Sequence, residues 1–351
     1  NDHQQTLIKG FEKAFSGRSL ANLPDQLVAA IKKAGGGSIT LQLRQGLPEA
    51  TRKALLTVSD PQANKAQRLA FIRILGEVTN PEALPVLQRV VSNGRSDELR
   101  AAALLSLQSY PVAPVGQQVV KLHNGFPDSL RNAAQSLLVS RREWARQFLA
   151  AIDAGSIDKR AVPIETQRKL LLHNNDQITK LVRKHFGEVS GATTQQMQKR
   201  IEELNSMLVT ARGAGNPYTG KRLYKQTCGK CHTLFTEGGK IGPDLTGFKR
   251  DDIRGILMNV INPSAEIRKG FENYTVLTQN GRIVTGFIAD QDNQVVVVRG
   301  VDGHNVVVPR KDIDEMLANP KSVMPDGLLD KLSDEQIKHL FAFLRVTQPL
   351  P

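Results

Sequence analysis

The sequence is poor in cysteine, with two in 351 residues, so a framework of several disulfides is excluded. It contains no run of about 18 apolar residues, which a membrane-spanning helix would need. It also lacks a Gly-rich phosphate loop followed by Lys-Ser or Lys-Thr, and no nucleophile–base–orienter set of the kind hydrolases use is evident. The sequence therefore indicates no catalytic centre of its own and leaves open whether the chain belongs to an enzyme.

Both cysteines lie in one pentapeptide, Cys228-Gly229-Lys230-Cys231-His232. The pattern C-x-x-C-H is typical of c-type haem attachment, because two thiols three residues apart form thioethers with the vinyl groups of one haem and the adjacent His becomes the proximal iron ligand. A thioredoxin-like pair would follow a strand, whereas a helical pattern precedes this motif. A structural zinc needs about four N or S ligands, and no second cysteine pair exists. We therefore expect one covalent haem c on Cys228 and Cys231, with His232 on the iron.

Haem attachment also predicts where the protein works. In bacteria this attachment occurs outside the cytoplasm, so we expect a periplasmic or otherwise exported protein. The first residues, Asn1 to Gln5, show no apolar segment of a signal peptide. We therefore expect a mature chain, or the C-terminal part of a larger exported protein. Because haem would consume both thiols, we predict no disulfide.

A Gly-Pro loop and a methionine complete the predicted haem site. Ile241-Gly242-Pro243-Asp244-Leu245 follows the motif, and in cytochromes c a backbone carbonyl of such a loop accepts the Nδ1–H of the proximal imidazole. Met324, in an extended stretch before the last helix, is the predicted second axial ligand, with Met316 as the next candidate. We expect Met258 to belong to the core and His339 to lie on the surface.

The segment from residue 7 to residue 208 has a helical pattern throughout. The stretch at 98–107, with Leu99-Arg100-Ala101-Ala102, recurs 31 residues later at 129–138, and a looser copy begins near Arg68. A period near 30 in paired helices is typical of an α-solenoid, and the pattern resembles HEAT repeats. We predict a HEAT-like repeat domain over 1–210, with an irregular helical bundle as the alternative.

A second domain is predicted over 211–351, and its first residues, 211–217, are a Gly-rich linker. Gly220 and Tyr224 share one face of a helix leading into the haem motif, and a helix with a capping-box-like start at Ser333 closes the domain. Together they indicate the crossed terminal helices of a class I cytochrome c fold, with Tyr224 and Phe341 packing beside the crossing. A small antiparallel β insert is expected at about 271–316, since β-branched runs there are joined by turns such as Asn280-Gly281.

Three segments carry a more specific resemblance: Ile241 to Gly247, Ile261 to Ile267, and Ser322 to Ser333. Over residues 216–346 the chain resembles the haem-binding domain of large planctomycete and verrucomicrobial proteins. That resemblance implies a β-rich insert in the same place and a preceding HEAT-like region. Together with the helical pattern of residues 7–208, it predicts a mainly α chain. It also implies that a dehydrogenase-like β-propeller often stands upstream in such proteins.

The formal net charge of +13 is unevenly distributed. Residues 1–210 carry 28 Lys and Arg against 18 Asp and Glu, while residues 211–351 carry 19 against 16. This excess is consistent with an acidic partner, an anionic surface or a merely solvated basic face, and nucleic acid is disfavoured for an exported haem protein. We expect an electron-transfer module between a donor dehydrogenase and a respiratory acceptor. The alternatives are a haem sensor or haem enzyme with a labile sixth ligand, and an interaction scaffold with an accessory haem.

Overall fold

The structure, a computed structural model, describes residues 2–15, 20, 23–187, 194–211, 213–301 and 303–351. It divides into two units, one of residues 1–189 with 278–283 and one of residues 190–277 with 284–351. Helices dominate the first unit, as predicted, and the second unit combines helices with strands. In the part of the chain that is described, no helix is both long enough and apolar enough to cross a membrane.

The first unit is built from helices joined by short turns. In order they are α1 (Asp2–Ala14), α2 (Asp25–Lys33), α3 (Ile39–Arg44), α4 (Pro48–Ser59), α5 (Lys65–Val78), α6 (Ala83–Asn93), α7 (Asp97–Leu107), α8 (Ala113–Leu122), α9 (Asp128–Leu138), α10 (Arg142–Asp153), α11 (Ile164–Leu171) and α12 (Asp176–Phe186). The turn at 278–283 also belongs to this unit, where the Ile283 N–H donates to the Ser140 carbonyl at 2.8 Å.

These helices pack in two series. In one, α3 packs on α5, α5 on α7 and α7 on α9; in the other, α4 packs on α6, α8 on α10 and α10 on α12. Gln118 of α8 joins α6 to the second series, because its side-chain amide donates to the Gln88 carbonyl and to the Ser92 hydroxyl. One apolar cluster runs through the unit from Leu43 to Val182. Each helix therefore buries a stripe of apolar side chains, and helices of both series contribute to the same cluster.

The sequence repeat corresponds to a repeated contact. Its copies lie on α5, α7 and α9, and the arginine of each copy donates to a main-chain carbonyl that precedes its helix: Arg68 to Val58 at 2.9 Å, Arg100 to Val91 at 3.0 Å and Arg131 to Phe126 at 2.9 Å. Val58 and Val91 lie in the last turns of α4 and α6, where helix geometry leaves carbonyls without a partner, while Phe126 lies in the turn before α9. The three copies are structurally equivalent in this respect.

The second unit contains α13 (Thr194–Thr210), α14 (Pro217–Gln226), α15 (Ile253–Ile261) and α16 (Asp334–Leu344). The predicted first domain ends at residue 210, whereas α13 belongs to the second unit. Ile201, Leu204 and Leu208 of α13 are buried in the same apolar cluster as Leu257 of α15. Arg212, in the predicted linker, lies outside the described residues.

The crossing of α14 and α16 matches the expected pair of terminal helices. A Cβ on Gly220 would collide with the backbone carbonyl of His339, so only glycine allows this approach. Ser333 forms the predicted capping box with Gln336 at the start of α16. Tyr224 and Phe341 are buried in the apolar cluster at this crossing, as expected. The Tyr224 ring also pairs with Phe343, at 5.3 Å between centroids.

The β insert is a five-stranded sheet. Its strands are β3 (Asn273–Thr278), β4 (Ile283–Gln291), β5 (Val295–Arg299), β6 (Asn305–Pro309) and β7 (Ile313–Asn319), and a two-stranded hairpin of β1 (Thr233–Leu234) and β2 (Glu237–Gly238) precedes it. The order is β6-β5-β4-β3-β7, with β4, β5 and β6 antiparallel in turn. Its valine core is separate from the helical clusters. The insert therefore runs to residue 319, slightly beyond the predicted end at 316.

Candidate haem-binding site

The Cys-x-x-Cys-His segment forms one helical turn directly after α14. The N–H groups of Cys231 and His232 both donate to the Cys228 carbonyl, at 3.1 and 2.9 Å. This turn brings two thiols and one imidazole onto a short stretch of backbone, as haem attachment needs. Both cysteines are free and half-buried. Burial raises the pKa of both thiols, so they are protonated near neutral pH.

The His232 ring is held by the predicted Gly-Pro loop. Its Nδ1 lies 2.8 Å from the carbonyl oxygen of Pro243, to which the Nδ1–H donates. With the proton on Nδ1, the Nε2 lone pair remains available to a metal. Burial lowers the pKa of His232, partly offset by this hydrogen bond, so the ring is neutral near pH 7. Neutral imidazole with a free Nε2 is the state that iron binding requires.

Glycine lets the loop approach the ring. A Cβ on Gly242 would lie 2.5 Å from Cε1 of His232, closer than a methyl group can come. The loop also follows the motif backbone, because the N–H groups of Ile241 and Gly242 both donate to the Cys231 carbonyl, at 3.0 and 2.8 Å. The loop and the haem motif are thus one hydrogen-bonded assembly.

Tyr224 has a role that the sequence analysis did not predict. Its hydroxyl donates to the backbone carbonyl of His232 at 2.7 Å, while its ring is buried. From the sequence, Tyr224 is expected only to pack at the helix crossing. A buried tyrosine hydroxyl normally donates to an acceptor. The prediction that Tyr224 is buried could therefore have indicated an acceptor in the turn that follows α14. Tyr224 therefore links α14 to the residue that presents the imidazole.

The three candidate methionines lie in different surroundings. Met258 on α15 is 49% exposed, so the prediction that it belongs to the core is wrong. Met316 lies on β7 and packs against the valine core of the sheet. Met324 lies in the loop between β7 and α16 and is half-buried. Of the three, Met324 alone lies outside a helix or strand, in a bend of the loop.

The loop of Met324 is anchored by side-chain hydroxyls. The Met324 N–H donates to the Ser322 hydroxyl, and the Ser322 N–H donates to the hydroxyl of Ser264, each at 3.1 Å. Ser264 belongs to the segment after α15 that resembled other haem-binding domains. The loop is therefore tied to the helical part of the unit.

His339 differs from its predicted surface position. Its side chain is 19% exposed, and its Nδ1 accepts the backbone N–H of Asn216 at 2.9 Å. Since Asn216 caps α14, this contact closes the junction of α14 and α16. His339 is a structural residue of the helix crossing.

The arrangement fits a c-type haem better than the alternatives. Two free thiols, a neutral imidazole and a fixed ring orientation are present together. Among the described residues, no group of three or more His, Cys, Asp or Glu side chains could hold a metal ion, so a zinc site lacks its ligands. The motif follows helix α14 and no strand, unlike a thioredoxin-like pair.

Comparison with known proteins supports the same assignment. The cytochrome c family model matches residues 218–297, a range that begins in α14 and ends in β5. It includes the two cysteines, His232 and Pro243, but not Met324 or α16. A search of curated proteins finds no match to this chain. Residues 218–297 thus carry a cytochrome c domain, which implies haem binding and electron exchange with redox partners.

Proposed function

We propose that this chain is an electron-transfer module with one haem c, covalently attached through Cys228 and Cys231, and with His232 as its proximal ligand. The hydrogen bond between His232 Nδ1 and the Pro243 carbonyl carries the proposal, because it leaves Nε2 free beside two reduced thiols. When bound, the haem supplies one reversible electron at its iron. The chain's own residues attach, orient and shield that group.

The attachment is tested by the mass of the protein and by its haem spectrum. Produced with a haem-attachment system, the chain should gain the mass of one haem and keep it after denaturation. Replacing both Cys228 and Cys231 with Ser should abolish this gain. A haem that is removed by acidified organic solvent from the wild-type protein would contradict covalent attachment.

Met324 is proposed as the second axial ligand. Its position in an anchored loop before α16 supports this, as does the engagement of Met316 in the sheet core. Methionine ligation fills the sixth position and raises the reduction potential, which suits electron transfer. Met324→Ala should remove the Met-to-iron charge-transfer band of the oxidised protein, whereas the matched variant Met258→Ala should keep it. A band that survives Met324→Ala would assign the ligand to Met316.

CO binding by wild type and by Met324→Ala separates electron transfer from ligand sensing or haem catalysis. A sensor or haem enzyme needs an open or labile sixth position. The reduced protein should therefore not bind CO without denaturant, while Met324→Ala should. Ready CO binding by the wild-type protein would favour the sensor or enzyme.

The wider context is also a proposal. The equivalent contacts of Arg68, Arg100 and Arg131 support a HEAT-like solenoid as the first domain. The resemblance of the haem domain to planctomycete and verrucomicrobial proteins supports an exported protein that accepts electrons from an attached or docked dehydrogenase. The sequence encoded immediately upstream tests whether a dehydrogenase is part of the same protein. Haem staining of cell fractions tests the export, and haem-stained protein in the cytoplasmic fraction would contradict export.

A further inference from the structure

The loop of Met324 is attached to the β insert as well as to Ser264. Both backbone groups of Lys321, which lies three residues before Met324, are engaged by asparagine side chains. The Lys321 N–H donates to Oδ1 of Asn319 at 2.9 Å, and Nδ2 of Asn273 donates to the Lys321 carbonyl at 3.4 Å. These two side chains are here called the asparagine clamp. They hold the backbone on both sides of Lys321.

The asparagine clamp belongs to two neighbouring strands of the sheet. Asn319 is the last residue of β7, Asn273 is the first residue of β3, and these two strands are adjacent in the sheet order. Both strands are packed into the valine core, β3 through the fully buried Val276 and β7 through Met316. Residues on packed strands are positioned more precisely than residues on loops. The clamp therefore attaches the loop of Met324 to a rigid support.

The two asparagines of the clamp have opposite hydrogen-bonding roles. The partner of Asn273 is a carbonyl oxygen, which can only accept, so the amide NH2 of Asn273 faces it. The partner of Asn319 is a backbone N–H, which can only donate, so Asn319 offers its amide oxygen. An aspartate at position 319 would therefore keep its contact with Lys321, whereas an aspartate at position 273 would lose its contact.

The amide oxygen of Asn273 indicates what this side chain contributes. Among the described residues, its Oδ1 is buried and has no hydrogen-bond partner. A buried acceptor without a partner opposes folding, and an apolar side chain of similar size would avoid that cost. The one contact that an apolar side chain could not supply is the hydrogen bond to the Lys321 carbonyl. The amide at position 273 is thus explained by the loop that it holds.

The loop is held from two sides at successive residues. On the side of the sheet, the clamp holds Lys321. On the side of the helices, the Ser322 N–H donates to the hydroxyl of Ser264, while the Met324 N–H donates to the Ser322 hydroxyl. Fixing neighbouring backbone groups leaves the loop few conformations. The positions that the Met324 side chain can reach are restricted accordingly.

We propose that Asn273 and Asn319 are positioning residues for the axial methionine, so that the β insert determines how firmly Met324 is held on the iron. The inference rests on the proposed function, since it takes Met324 as the second axial ligand. It goes beyond that function because it gives the insert a role in the haem site. Both asparagines act through the backbone of Lys321.

Competition with imidazole tests this role in the haem-loaded chain. Imidazole binds the oxidised haem only where the methionine has left, so its apparent affinity rises as the loop is held less firmly. Asn273→Asp and Asn319→Asp are a matched pair, because each replaces one amide by a carboxylate beside Lys321. Asn273→Asp should bind imidazole about fivefold more tightly than wild type, the factor that corresponds to one neutral hydrogen bond. Asn319→Asp should stay within about twofold of wild type, because its acceptor is kept.

Alanine variants separate the lost contact from the added charge. Asn273→Ala and Asn319→Ala each remove one contact of the clamp without adding charge, so both should bind imidazole about fivefold more tightly. Lys321→Ala keeps the backbone groups that the clamp holds and should behave as wild type. All titrations are made without denaturant, at a temperature where the circular dichroism of each variant matches wild type. If Asn273→Asp fails to incorporate haem, the alanine variants provide the test.

The charge-transfer band of Met324→Ala shows which proposal fails. If Met324→Ala loses the band while both variants of Asn273 bind imidazole as wild type does, the clamp is overturned and the axial ligand stands. Equal tightening in the two aspartate variants, with wild-type affinity in the two alanine variants, would assign the effect to charge and also overturn the clamp. A band that survives Met324→Ala would overturn the axial assignment and the inference with it.

Discussion

The backbone N–H of Ser322 donates to the hydroxyl of Ser264 at 3.1 Å, which joins the loop of Met324 to the segment after α15. The restraint is a single neutral hydrogen bond, so its net worth is about 1 kcal/mol.

Removing that hydroxyl should loosen the methionine. In Ser264→Ala, the Met-to-iron charge-transfer band should disappear at a lower temperature than in wild type, because the loop loses about 1 kcal/mol of restraint. Thermal titration of the band measures the shift. Ser59→Ala, on the exposed side of α4, is the matched control and should leave the band unchanged. Identical titrations for Ser264→Ala and wild type would show that the loop is held by other contacts.

The hydroxyl of Tyr224 should stabilise the folded protein, in addition to the packing of its ring. Tyr224→Phe keeps the packing against Phe343 but leaves the His232 carbonyl without its donor, so the free energy of unfolding should fall by about 1–2 kcal/mol. Urea unfolding followed by the haem absorbance measures this loss. The exposed Tyr218 supplies the control, since Tyr218→Phe should change stability by less than about 0.5 kcal/mol.

The crossing of α14 and α16 should not tolerate a side chain at its centre. Gly220→Ala places a methyl group against the His339 carbonyl, and the helices must separate to admit it. We expect a loss of about 1–3 kcal/mol or failure to incorporate haem. Gly247→Ala is the control, because no heavy atom lies within 4 Å of a Cβ at that position. Equal stability of the two variants in urea would contradict the close crossing.

The first unit should lose stability in mild acid. Burial lowers the pKa of His123 and His173 from the ordinary value of 6.5, so the folded state keeps both rings neutral. Below about pH 6.5 the unfolded chain binds protons that the folded chain excludes, so stability is full above that pH and falls as the pH decreases. Trp144, the single tryptophan, is buried in this unit and reports its unfolding by fluorescence.

A double variant isolates the contribution of these rings. His123→Gln with His173→Gln should flatten the dependence of the Trp144 urea midpoint on pH between 7.5 and 5.5, at some cost in stability at pH 7.5. Replacing the exposed His3 by Gln should leave the slope as in wild type. A slope that persists in the double variant would assign the acid sensitivity to carboxylates.

Several features were predictable because neighbouring residues in the chain determine them. The C-x-x-C-H turn needs only adjacent residues, and the Ser333–Gln336 capping box forms within one helical turn. The Asn280-Gly281 turn likewise depends on the positive φ of Gly281, which glycine adopts without strain. Such short-range features do not depend on how distant segments of the chain pack.

Contacts between distant segments decided the features that the sequence left open or misplaced. Helix α13 belongs to the second unit because Leu204 is buried in the apolar cluster of that unit. The sequence of α13 does not specify which cluster covers Leu204. Met258 looks like a core residue on an amphipathic helix, yet the side of α15 that is buried leaves it exposed. His339 accepts the N–H of a residue more than a hundred positions away. The sequence by itself determined the C-x-x-C-H motif and the local turns. Burial and long-range pairing depend on all segments at once and were decided by the tertiary structure.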